Sequence, residues 1–82
     1  MRTINFLQFG REPILKQNSH FSMECENTGG LMDQKEYEVR AILKDVAFTD
    51  IALRELKNFY DFDVFSIIED GRVLFTEEDY PA

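Results

Sequence analysis

Between residues 48 and 76 the hydrophobic positions change period. Ala52, Leu53, Leu56, Phe59 and Tyr60 recur at helical spacing, while Arg54, Glu55, Lys57 and Asn58 fill the opposite face. The pattern predicts an amphipathic helix over 49–60. Thr49 is the expected N-cap, because its hydroxyl can accept from an unpaired backbone N–H. Asp50 then suits the helix dipole, and Phe48 and Leu53 are spaced as a hydrophobic staple. Asp61-Phe62-Asp63 ends the helical pattern.

Two β-branched and aromatic runs follow, 64–68 and 73–76. Asp70-Gly71 lies between them. A type I′ turn needs positive φ at both central residues, so this pair predicts a hairpin. The turn sets Glu69 opposite Arg72, Ile68 opposite Val73 and Ile67 opposite Leu74. One face would then carry Phe65, Ile67 and Leu74, and the other Val64, Ile68, Val73 and Phe75. With both faces apolar, the hairpin is expected to be covered on both sides. The helix covers one; the N-terminal half or a second copy in a homodimer covers the other.

Residues 3–9 alternate imperfectly, with Ile4 and Phe6 in phase and Leu7 and Phe9 out of it; they predict a strand. Residues 10–13 are turn-like, Ile14-Leu15 suggests a second short strand, and 16–19 a loop. From His20 the alternation is clean. Phe21, Met23 and Cys25 share one face, and His20, Ser22, Glu24 and Glu26 the other, so a half-buried strand is expected until 27–30 breaks it. Residues 33–46 fit two templates. A helix capped by Asp33 would carry Val39, Ile42, Leu43 and Val46. A strand would turn Tyr37, Val39, Ala41 and Leu43 inward and Glu36, Glu38, Arg40 and Lys44 outward. Context favours the strand, because it completes a β-α-β-β unit with the helix on one sheet face. The tail 77–82 reads as frayed. The expected fold is a single α+β domain over 1–82, with a small, mostly antiparallel sheet of three to five strands and one main helix.

Composition narrows the function. Of the 82 residues 44% are apolar and eight are Phe, enough for a core. No apolar run approaches a membrane span, and the N-terminal stretch lacks a signal-peptide core. One cysteine excludes an internal disulfide, which points to a reducing, cytoplasmic setting. The net charge of −7 is uneven. Residues 1–44 hold six basic and six acidic side chains, whereas 45–82 hold three basic and ten acidic ones. Direct nucleic-acid binding, which needs a basic footprint, is therefore not expected, and a protein partner with a basic surface is.

Catalytic chemistry finds little support. Cys25 and His20 are the only thiol and imidazole, and five residues apart on a strand they point to opposite faces, so a packed cysteine and an exposed histidine are expected. One of each is too few for zinc. Asp61 with Asp63, Glu69 with Asp70, and Glu77-Glu78-Asp79 are adjacent acids, but no calcium-loop spacing frames them. Gly29-Gly30 lacks a phosphate-loop pattern. No enzyme activity, cofactor or metal is expected. The favoured function is a non-enzymatic acidic protein that binds another protein, as an inhibitor or adaptor, one form of which mimics nucleic-acid phosphates with carboxylates. The candidate binding residues are Asp61, Asp63, Glu69, Asp70, Glu77, Glu78 and Asp79. The β-α-β-β order is similar to ferredoxin-like modules, which implies as an alternative a dimeric, ligand-sensing regulatory module.

Overall fold

The alternation of β1 (Arg2–Gly10), β2 (Phe21–Gly29) and β3 (Lys35–Leu43) builds three adjacent strands. A 3-10 turn (Val46–Phe48) and α1 (Thr49–Phe59) follow, then β4 (Phe65–Glu69) and β5 (Arg72–Glu77). The computed structural model describes residues 1–31 and 34–77. The sheet order is β2-β3-β1-β4-β5, and every neighbouring pair is antiparallel. β3 and β4 therefore flank β1, and the connection through α1 crosses over that central strand. This is the expected α+β class, with residues 35–43 a strand. Of the tail 77–82 expected to fray, Glu77 instead closes β5 opposite Phe65; residues 78–82 and the alternative cap Asp33 lie outside the described residues.

The core is one layer between sheet and helix. Ile4, Phe6, Phe21, Met23, Val39, Ala41, Leu43 and Phe65 from the sheet meet Ala52 and Leu56 from α1 and Tyr60 and Phe62 just after it. Phe6 and Phe62 stack with ring centroids 4.1 Å apart. Residues 11–20 form no regular strand, so Ile14-Leu15 is not the short strand expected of it. The segment is instead a strap. Pro13 is buried, the Tyr60 hydroxyl donates to the Ile14 carbonyl, and the Lys16 amide donates to Tyr60 Oη at 3.3 Å.

Three local expectations change. Thr49 is the first helical residue and not the cap; the 3-10 turn ahead of it is capped by Asp45, whose Oδ1 accepts from the Ala47 amide at 2.9 Å. Thr49 Oγ1 donates instead to the Val46 carbonyl at 2.6 Å. Phe59 is 47% exposed rather than packed inward, with Lys16 Nζ 5.1 Å from its ring centre.

The third change lies in the hairpin. Asp70 and Gly71 have φ of 52° and 82°, as the turn requires, and Glu69 faces Arg72 and Ile68 faces Val73. Then a bulge intervenes, and Ile67 faces Phe75 rather than Leu74. Phe75 consequently shares the helix-side face with Phe65, at a centroid distance of 5.7 Å. One extra residue in one strand reverses the alternation beyond it, which is why period-2 reasoning placed Phe75 on the wrong face.

Candidate functional site

The strand registers divide the sheet's side chains into two sets. Those facing α1 are the core. The opposite face carries Thr3, Asn5, Leu7 and Phe9 from β1; Ser22, Glu24 and Glu26 from β2; and Glu36, Glu38, Arg40 and Ile42 from β3. Ser66 and Ile68 from β4 and Val73 and Thr76 from β5 complete it. No element among the described residues packs on this face. The N-terminal half thus extends the sheet sideways and leaves the hairpin's second side uncovered.

This open face has two zones. On β2 and β3, Arg40 is surrounded by glutamates. Its Nε lies 3.1 Å from Glu24 Oε1, and its Nη1 lies 3.0 Å from Glu38 Oε1 and 3.5 Å from Glu26 Oε2. Burial opposes the guanidinium charge, but the Glu24 hydrogen bond and the Glu38 and Glu24 charges outweigh it and raise its pKa. Glu36 accepts at Oε2 from Thr28 Oγ1 at 2.6 Å. Among the described residues of this face, Arg40 is the one base against four acids. On β1 and the strands beside it, apolar side chains stand among Thr3, Asn5, Ser66 and Thr76, with Leu7 43%, Phe9 63% and Val73 63% exposed and Ile42 and Ile68 half-buried. Between β1 and β4 lies a shallow cavity of about 230 Å³, lined by Asn5, Leu7, Glu38, Val64, Ser66 and Thr76. Asn5 Oδ1 is buried there without a hydrogen-bond partner among the described residues.

The acids singled out in the sequence fall into separate places. Glu69 accepts from Arg2 Nε at 3.0 Å, and Asp70 lies 2.7 Å from the Met1 amine. Asp61 and Asp63 sit at the other end of β4, where α1 gives way to the sheet, and Glu77 joins that end by facing Phe65. Five residues of strand separate the two groups, roughly 13 Å. Glu78 and Asp79 lie outside the described residues. Among the described residues no three His, Cys, Asp or Glu side chains converge as metal ligands.

Cys25 and His20 do not take opposite faces as expected: His20 precedes β2, and its ring lies beside Phe48 and Glu55 of α1, on the helix side that Cys25 also faces. Cys25 is only partly buried and packs against the core. Burial and then the Glu12 charge raise its thiol pKa, with Arg40 opposing weakly. His20 is half-buried rather than exposed. Its ring lies 4.8 Å from the Phe48 ring, and its Nε2 is 3.8 Å from Glu55 Oε1. The outward alternation of Glu24, Glu26, Glu36, Glu38 and Arg40 was legible in the sequence, but only the β2–β3 register gathers them. No family model, curated protein or solved structure matches the chain.

Proposed function

We propose that this chain is a non-enzymatic protein-binding module, an inhibitor or adaptor, and that its open sheet face docks a basic, amphipathic segment of another protein. One observation carries the reading: a sheet face left uncovered by its own fold, carrying Leu7, Phe9, Ile42, Ile68 and Val73 and fringed by four glutamates with a single arginine. Exposed apolar surface of this kind marks an interaction site when polar groups rim it. The charge selects the partner. Two copies of this face would set like charges against each other, whereas a basic segment meets complementary potential. Phosphate mimicry by the carboxylates is one form this function takes.

The test uses a partner captured from the native host's lysate and two variants. In one, Glu24, Glu26, Glu36 and Glu38 become Gln. In the other, Asp61, Asp63, Glu69 and Asp70 become Asn or Gln. The first is expected to lose the partner and the second to keep it, with affinity falling steeply with salt. Retention by the first variant would remove this reading. A second reading, a small-molecule sensor, is favoured by the unpartnered Asn5 Oδ1 in its cavity. It predicts thermal stabilisation by a metabolite and little salt dependence. Self-association belongs to either reading, and the exposed edge of the sheet supports it.

A further inference from the structure

The sheet has two edges, and they differ. At β2 the edge carries the exposed acids Glu24 and Glu26 and ends in an irregularity between Asn27 and Gly29. Charge in the middle of an edge keeps it from pairing with another chain, whereas the charged residues of β5, Arg72 and Glu77, stand only at its ends. At β5 the edge is exposed along all six residues, with Val73, Leu74 and Phe75 at 63%, 51% and 48%. Among the described residues no strand pairs with this edge, which offers N–H and C=O groups beside apolar side chains.

We propose that β5 pairs antiparallel with β5 of a second copy, joining two sheets into one of ten strands about a two-fold axis normal to the sheet. The proposal deepens the self-association named above and is independent of the basic partner. Its warrant is the bulge. Glu69 faces Arg72 and Phe65 faces Glu77, and Phe65 and Glu69, four apart on β4, share the helix side. Arg72 and Glu77 therefore share that side although they are five apart. By the same register Phe75 also lies on the helix side, and Val73 and Thr76 lie on the open side. A two-fold axis at Phe75 then sets Phe75 against Phe75 of the second copy, Val73 against Thr76, and Arg72 against Glu77, each pair on a common face. The last two pairs occur twice. In a regular strand, Arg72 and Glu77 would lie on opposite faces, and no symmetric antiparallel register would oppose them.

The self-complementary ends, cationic at the start of β5 and anionic at its finish, are what select a second copy over an unrelated strand. One strand seam is a small interface, so the dimer is expected to be weak and reversible. A two-fold axis normal to the sheet also keeps both open faces on one side. The docking surface of the dimer would then be bivalent, with the two helices on the far side.

Sedimentation of the full chain across the micromolar range tests this, with circular dichroism and melting confirming that each variant is folded. The wild type should show a concentration-dependent dimer. Arg72→Glu and Glu77→Arg should each weaken it by about tenfold, since each turns two attractive cross-strand pairs repulsive. The double exchange should restore it. Leu74→Lys, in the exposed bulge, should give a monomer. If Arg72→Glu fails to fold, because it also faces Glu69, Glu77→Arg and Leu74→Lys decide the matter. A strict wild-type monomer, a dimer indifferent to these changes, or a double exchange no better than its parents would overturn the proposal. None of these readings involves the basic partner, so failure here leaves the open-face reading standing.

Discussion

Arg2 on β1 is held to Glu69 on β4 by a forked contact, its Nε 3.0 Å from Glu69 Oε2, while its Nη1 reaches Thr49 Oγ1 at 2.9 Å. One guanidinium thus joins the central strand, the hairpin and the first turn of α1. The side chains of Arg2 and Glu69 are 23% and 34% exposed, so solvent screens the pair only in part. Arg2→Met should keep the packed stem and lower stability by about 1–2 kcal/mol, with Arg2→Lys recovering part of it, since an ammonium cannot fork. Urea midpoints of the three proteins measure this.

Gly71 has φ of +82°, and a Cβ built there meets open space. Any cost of substitution is therefore backbone strain and not a clash. Gly71→Val should destabilise the fold by about 1–3 kcal/mol, and Gly71→Asn by much less, because Asn tolerates the left-handed region. Equal melting temperatures for the two variants would contradict the strain account.

Cys25 and Tyr60 predict alkaline sensitivity. Burial and then Glu12 raise the Cys25 pKa; burial first, with Cys25 adding to it and the Lys16 amide opposing, raises that of Tyr60. Each group holds its proton longer in the folded state than in the unfolded one. Above the ordinary thiol and phenol values, about pH 8.5 and 10, the unfolded state therefore binds fewer protons, and stability should fall as pH rises. Tyr60→Phe should flatten the upper part of that slope while losing the hydrogen bond to Ile14. Denaturant midpoints from neutral to alkaline pH give the slope directly. Thiol labelling of native Cys25 should be slower than in denaturant at neutral pH.

Arg40 predicts a salt signature. In Arg40→Gln, Glu24, Glu26 and Glu38 face one another without their cation. The variant should lose roughly 1 kcal/mol at low salt. That loss should shrink as added salt screens the glutamates from one another. A loss independent of salt would mean that Arg40 acts through its packed stem alone.

Much of the fold is written in short-range pattern. The helix over 49–59, the Asp70-Gly71 turn and the strand through Tyr37, Val39, Ala41 and Leu43 follow from spacing, because a single buried face imposes a period on the residues that build it. Features that depend on a second segment were not legible. Thr49 spends its hydroxyl on Val46 and Arg2, and neither partner is visible from a capping rule. His20 is covered by Phe48, which is 28 residues away along the chain. The bulge at Leu74 moves Phe75 to the helix side without any glycine or proline to announce it. The acids behave likewise. Local charge counting points to 45–82, yet Glu69 is engaged by Arg2, while Glu24, Glu26 and Glu38 gather around Arg40. Periodicity decides which way a side chain points from its own strand; only strand order and register decide whose side chains it meets there.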